Sequence, residues 1–253
     1  MSYKSVAIKA AKEAGKTLKF RFDANLEVKA KSKHDIVSNV DVESERKIIQ
    51  IIKKNFPTHA IQAEESGAQG KISNYRWIVD PLDGTANFVT GNPFFSVSIA
   101  LTFQGKVILG VVYNPILNQL YYAEKGKGAF LNGNRIVVSK NSSLKDSFIV
   151  TGNLYDEKGI SKALPTVKKL ILSSRKTLII FSPALNLCNL ARGKIDGFVD
   201  RGATPEDHAA GSLIATEAGA RVQNYYSDTW DVNKEGIVAS NGKLHNAILK
   251  LID

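Results

Sequence analysis

One cysteine, Cys188, stands among 253 residues, so no disulfide within the chain can staple the fold. Methionine also occurs once, and no stretch approaches the roughly 20 consecutive apolar residues that a membrane span needs. The opening segment, MSYKSVAIKAAKEAGK, is too polar and too periodic for a secretion signal, which leads us to expect a cytoplasmic protein with no membrane partner. Repeats, low-complexity tracts, linkers and arginine-rich blocks are missing as well. What is present is ordinary globular material, 43% hydrophobic and 23% charged, with enough apolar surface to offset the ordering entropy of a large core. The 34 Lys and Arg against 24 Asp and Glu give a formal charge of +10. These residues are dispersed, which reads as a solvated lysine-rich surface rather than a nucleic-acid groove. The same field attracts small anionic ligands.

Periodicity divides the chain into two halves. In residues 1–140, Ile8, Ala11, Gly15, Leu18 and Phe22 fall on one stripe of an amphipathic helix. Asn25 to Lys33 reads as a polar loop or hairpin. Ser38 and Asp41 have the spacing of a capping box ahead of a helix that contains Ile48, Ile49, Ile51 and Ile52. A strand around Ile61 follows, then one at Trp77 to Val79 that Pro81 is expected to end. Phe95 to Phe103, Lys106 to Tyr113, Gln119 to Ala123 and Ala129 to Val138 then form an antiparallel meander. In residues 141–253, strands at Phe148, Leu178, Gly197 and Gly236 alternate with helices from Ile160, Ala184, Glu206 and Leu244, an α/β pattern. Layered α and β elements in both halves predict a sandwich, and the second half should complete a site begun in the first.

Acidic residues gather where strands end. Glu64 and Glu65 follow one strand; Asp80 and Asp83 bracket a proline-fixed turn in Asp80-Pro81-Leu82-Asp83-Gly84-Thr85. Carboxylates aimed at one point repel each other unless a cation lies among them. Oxygen donors alone select hard ions such as Mg²⁺ or Mn²⁺, and the Leu82 carbonyl is an additional candidate ligand. Gly84 to Asn87 resembles the start of a helical turn, whose amides favour phosphate. Each motif alone reads as an ordinary turn or a solvated loop; together they point to a site, although spacing alone does not name a reaction.

The segment Trp77-Ile78-Val79-Asp80-Pro81-Leu82-Asp83-Gly84-Thr85-Ala86-Asn87-Phe88 resembles the central signature of the inositol monophosphatase family. Glu64-Glu65-Ser66 is similar to its upstream motif, and Asp207-His208-Ala209-Ala210-Gly211 to its downstream one. The resemblance implies a five-layered αβαβα fold of the sugar-phosphatase type and Mg²⁺-dependent, lithium-sensitive hydrolysis of phosphate monoesters. By position, Glu64, Asp80 and the Leu82 carbonyl would bind one ion, and Asp80, Asp83 and Asp207 a second. Glu64 and Glu65 would support a third. Thr85, bonded toward Asp41, would help Glu64 activate water, with Gly84 and Thr85 amides on the phosphate. A phosphorylated sugar or polyol is the implied substrate, inositol 1-phosphate first and fructose 1,6-bisphosphate second. Homodimers are common among relatives. A 3′-phosphoadenosine 5′-phosphate or NADP phosphatase is the alternative within the family, and a non-catalytic RNA-binding or regulatory member the alternative outside catalysis.

Three positions depart from the family pattern. Glu206 stands where the downstream motif carries tryptophan. Asp200 stands where a glutamate often contacts a substrate hydroxyl. Phe181-Ser182-Pro183-Ala184 replaces a Gly-Ser/Thr-Ala-Ala wall, with Phe181 and Ser182 as substrate-contact candidates. Lys29, Lys31 and Lys33 read equally as a second-phosphate site or as solvated charge. Cys188 and His208 read as packing residues.

Overall fold

Alanine shapes the first helix. The computed structural model describes residues 1–24, 28–30, 36–152 and 157–252. It begins with α1 (Tyr3–Arg21), where the Ser2 hydroxyl accepts from the Ser5 amide at 3.2 Å. The buried face is Ala7, Ala10, Ala11, Ala14 and Leu18, while Ile8 is only half-buried. Ala11, Gly15 and Leu18 of the expected stripe are thus buried, and the buried face extends past them to Ala7, Ala10 and Ala14, where small side chains let the helix axis lie close to its neighbours. Strands β1 (Val28–Ala30) and β2 (Ile36–Ser38) pair antiparallel, in keeping with a hairpin; Lys31 and Lys33 lie outside the described residues. Helix α2 (Asn39–Asn55) starts on the expected capping box.

The large sheet contains β3 (Ala60–Ala63), β4 (Gly67–Gln69), β5 (Tyr75–Asp83), β6 (Ser96–Phe103), β7 (Lys106–Asn114), β8 (Gln119–Glu124), β9 (Ala129–Leu131) and β10 (Asn134–Ile136). Their hydrogen-bonded order is β10-β9-β8-β7-β6-β5-β3-β4, with only the β3–β5 pair parallel. Short helix α3 (Thr85–Val89) interrupts the path from β5 to β6. Pro81 does not end β5. Pairing with β6 resumes at Asp83 after a register shift between Asp80 and Asp83, so a bulge absorbs the missing N–H. The single strand expected over Ala129 to Val138 is a hairpin, because Asn132 and Gly133 adopt φ of 48° and 86° and turn the chain.

The second sheet follows a 3₁₀ turn at Leu144–Asp146 and includes β11 (Phe148–Thr151), β12 (Lys176–Ile179), β13 (Gly197–Asp200), β14 (Arg221–Gln223) and β15 (Ile237–Ser240), in the order β12-β11-β13-β15-β14. Interspersed are α4 (Glu157–Ser173), α5 (Pro183–Ala191), α6 (Pro205–Glu217) and α7 (His245–Leu249). Strand β12 starts two residues before its expected position, and β14 had no counterpart in the sequence reading.

Three apolar cores bind the layers. Side chains of α1 and α2 pack with Trp77, Val79, Phe95 and Ile99 on one face of the large sheet. On its other face, Ile78, Ala100 and Val112 meet α5 and α6, which also cover Phe198 and Ala239 of the second sheet. Ile149, Val199 and Val238 face Leu170 of α4 and Ile248 of α7. The layers run αβαβα. Strand β6 is consequently buried on both faces, and its alternating Ser96, Ser98 and Thr102 are covered by protein rather than water. At Gly110 a Cβ would lie 2.5 Å from the Ala210 carbonyl oxygen, so the absence of a side chain is what lets α6 rest directly on β7.

Candidate active site

Two capping boxes and one bulge bring the acidic residues together. Asp41 is the third residue of α2, and its Oδ2 accepts from the Ser38 amide and hydroxyl at 2.8 and 2.5 Å. Asp207 holds the same place in α6, where Oδ2 accepts from the Thr204 amide and hydroxyl at 2.7 and 2.9 Å. Each carboxylate thus satisfies helix-end donors with one oxygen and keeps the other for different work. Asp80 and Asp83 flank the β5 bulge, each only 2% exposed. The Leu82 amide donates to Asp80 Oδ1 at 2.9 Å. Asp83 Oδ2 accepts from the hydroxyls of Ser96 and Ser182 at 2.7 and 2.5 Å, and its Oδ1 from the Ala184 amide at 3.3 Å.

One oxygen each from Asp80, Asp83 and Asp207 lies within 4.8 Å of the others. Glu64, on the turn between β3 and β4, adds its charge from the open side and acts on Asp80, Asp41 and Asp207. Glu45 accepts from the Glu65 and Ser66 amides at 2.8 and 3.0 Å and so anchors that turn to α2. Thr85 Oγ1 lies 3.1 Å from both Asp41 Oδ1 and the Leu82 carbonyl oxygen.

The electrostatics follow from this crowding. Burial first, then the charges of Glu64, Asp83 and Asp207, pushes the Asp80 carboxyl well above the ordinary range. Burial likewise raises Asp207 well above that range, against the Thr204 amide that opposes the shift. Asp83 is pushed up to about 6 by burial, although the Ser182 and Ser96 hydroxyls favour its charged form. Asp41 is raised by burial against its Ser38 contacts. A buried set of oxygen donors that repel each other fits a hard divalent cation, whose positive charge would favour the ionised carboxylates and so offset the upward shifts that burial imposes.

The sequence-predicted substrate residues fall into two groups. Gly84 adopts φ 90°, and a Cβ there would lie 2.8 Å from the Phe181 carbonyl oxygen. Asn87 Nδ2 donates to that same oxygen at 2.5 Å, so Gly84, Thr85 and Phe181 share one wall while the Phe181 ring stays exposed. Ser182 and Asp200 are fully buried. Ser182 spends its hydroxyl on Asp83. Asp200 Oδ1 accepts from the Gly202 amide at 3.0 Å, Oδ2 has no partner among the described residues, and burial pushes the carboxyl up to about 7. His208 and Cys188 are buried, as expected of packing residues.

Sequence reasoning missed four contributors. Thr204 was legible, since Thr204 and Asp207 repeat the Ser38–Asp41 spacing. Glu45, Ser96 and the Ser182–Asp83 contact carried no local signal, because each depends on pairing between distant segments.

Residues 2–253 match the inositol monophosphatase family. The chain belongs to that family. It is 38% identical to the Nus factor SuhB of Vibrio cholerae over 252 residues, covering 98% of this chain and 94% of that protein. It is 40% identical to the fructose-1,6-bisphosphatase/inositol-1-monophosphatase of Thermotoga maritima over 87% of this chain and 83% of that one. Among solved structures, the extragenic suppressor protein suhB from Bartonella henselae superposes with a TM-score of 0.94 at 36% identity, over 99% of this chain and 98% of the other. The layered fold described above is thus shared with family members of known structure.

Proposed function

We propose that this protein is a Mg²⁺-dependent phosphate monoesterase that acts on inositol monophosphate, fructose 1,6-bisphosphate or both. The observation that carries this reading is the convergence of Asp80, Asp83 and Asp207 oxygens within 4.8 Å. Divalent ions bound there supply Lewis acidity toward phosphoryl oxygens and the attacking water. Glu64, Asp80 and the Leu82 carbonyl would hold one ion, and Asp80, Asp83 and Asp207 a second. Glu64 with Glu65 would support a third, and Mn²⁺ suits the same donors. Thr85, linked to Asp41, orients the Glu64 side of the site toward the nucleophilic water. The amides of Gly84 and Thr85 would hold the phosphate and the exposed Phe181 would border the polyol, while the fully buried Ser182 and Asp200 would act from behind that wall rather than by touching the substrate. The test is phosphate release from inositol 1-phosphate, fructose 1,6-bisphosphate, NADP and 3′-phosphoadenosine 5′-phosphate, with EDTA and lithium controls. Turnover of either of the first two, abolished by EDTA, supports the reading; turnover confined to the nucleotides moves the substrate class, and inactivity on all four refutes it.

A homodimer is part of the same reading. Strand β12 is a sheet edge that exposes Leu178 and Ile179, and the neighbouring α4 exposes Ile171 and Leu172. Apolar residues in this arrangement suit a second copy of the chain. Light scattering should return twice the 27.6 kDa chain mass, and an Ile179→Lys variant should return the monomer.

The +10 charge and the similarity to proteins named Nus factor SuhB favour one second reading, a non-catalytic RNA-binding or regulatory role. RNA binding that persists at physiological ionic strength and weakens steeply with added salt would support it.

A further inference from the structure

Glu206, the residue that departs from the downstream signature, is the first link of a hydrogen-bonded ring. Its Oε1 accepts from Gln62 Nε2 at 2.6 Å. Gln62 Oε1 accepts from Arg76 Nη1 at 3.1 Å, and Arg76 Nη2 donates to Asn233 Oδ1 at 2.5 Å. The next residue, Lys234, offers its carbonyl to His208 Nε2 at 3.2 Å, which returns the ring to α6 two residues beyond its start. Asn224 holds the returning loop by donating to the carbonyls of Asp231, Lys234 and Gly236 and accepting from the Asp231 amide at 2.6 Å. Asp207 is the residue between the two tethered positions.

The placement of each link follows from strand alternation. Trp77 and Val79 of β5 belong to the core with α1 and α2, and Ile78 to the core with α6. Arg76 and Asp80 share the Ile78 face. On β3, Ile61 and Ala63 point to the α1 and α2 core, which leaves Gln62 toward α6. The ring therefore joins the first turn of α6 to the strand that delivers Asp80 and to the strand that leads into Glu64. Gln62 has a defined orientation between a carboxylate and a guanidinium: its N–H meets the anion and its carbonyl meets the cation, so both hydrogen bonds are charge-assisted.

We propose that Glu206 and Gln62 are positioning residues that hold Asp207 in register with Asp80 and Asp83 and thereby set the affinity of this site for a divalent cation. The proposal rests on the cation-dependent reading above. Three carboxylates that repel one another drive the α6 turn away from the sheet, and tethers on both sides of Asp207 oppose that drift. The Glu206–Gln62 bond works as a hydrogen bond and not as an added charge, so an amide at position 206 still accepts from Gln62.

The experiment is direct titration with Mn²⁺, followed by electron paramagnetic resonance without any substrate, on the full chain and on Glu206→Ala, Glu206→Gln and Gln62→Leu. Residues that orient metal ligands change affinity by about 10–100-fold when removed. Glu206→Ala and Gln62→Leu should each weaken Mn²⁺ about tenfold, and the double variant should be no worse than Gln62→Leu alone, because both changes remove the shared Glu206–Gln62 bond. Glu206→Gln should stay within about twofold of the wild type. Melting in EDTA should be nearly the same for all, whereas a merely structural contact would lower the melting temperature and spare the affinity. Wild-type affinity in Glu206→Ala, or a Glu206→Gln variant as weak as Glu206→Ala, overturns the positioning role while leaving the cation site intact. A wild-type protein that takes up no Mn²⁺ overturns the cation site itself, and the positioning role with it.

Discussion

Asp83→Asn should make the cation-free protein more stable and the cation-loaded protein less so. Asp83 is buried, and its carboxyl is raised from 3.8 to about 6. A group raised in the fold contributes stability that is fully present below its unfolded value and is lost as pH rises through the folded value. Above pH 6 the folded chain therefore carries an ionised Asp83 at a disadvantage of up to about 3 kcal/mol, from two units at 1.36 kcal/mol each. An amide of the same shape removes that disadvantage. It also weakens the charge-assisted bonds from Ser96 and Ser182, which reduces the expected gain to about 1–2 kcal/mol. For a chain of this size that gain raises the melting temperature by roughly 2–8 °C. The assay is calorimetry of both proteins in EDTA at pH 8 and again near pH 4.5, where the gain should shrink. With Mg²⁺ at 100 times its dissociation constant the wild type gains about 2.7 kcal/mol, which the variant forgoes, so the order reverses. Phosphatase turnover should fall with the lost ligand. An Asn variant that melts below the wild type in EDTA at pH 8, or an advantage that does not change with pH, refutes the reasoning.

His245 is buried between Ser240 and Gln223, with Nδ1 2.9 Å from the hydroxyl and Nε2 2.9 Å from the amide oxygen, and burial lowers its pKa to about 4. A depressed histidine stabilises the fold above its unfolded value near 6.5 and loses that contribution as pH falls toward 4, at up to about 1.4 kcal/mol per pH unit. Urea unfolding of His245→Asn between pH 7 and 4.5 should accordingly show a shallower acid loss than the wild type, and parallel curves would count against the assignment. Gly110→Ala should lower the melting temperature by roughly 2–12 °C, since overpacking costs about 1–3 kcal/mol and the Ala210 backbone cannot yield without displacing α6. Trp77→Ala should cost about 3–5 kcal/mol in urea unfolding, as the ring is fully buried and its Nε1 donates to His59 Nδ1 at 3.1 Å.

Local chemistry by itself determined a good deal of this protein. The Ser38–Asp41 spacing, the apolar periods of α2 and β6, the positive-φ glycine after Asp83 and the acidic clusters at strand ends each reflect interactions within a few residues, and such interactions are written in order along the chain. Glu64, Glu65, Asp80 and Asp83 were legible as oxygen donors on the same ground, whereas Asp207 entered only through the family resemblance. What tertiary structure alone decided are contacts between segments far apart in sequence. Pairing with β6 carried β5 past Pro81 by means of a bulge, because the neighbouring strand supplies hydrogen bonds on both sides of the missing donor. Cover from α5 and α6 turned the polar alternation of β6 into a strand buried on both faces. Ser182 reached Asp83 across 99 residues, and Gln62 reached Glu206 across 144. A carboxylate read in sequence declares a charge. Only the packed layers decide which hydroxyls, amides and other carboxylates surround it, and that burial moves Asp80, Asp83 and Asp207 far from the titration range their sequence implies.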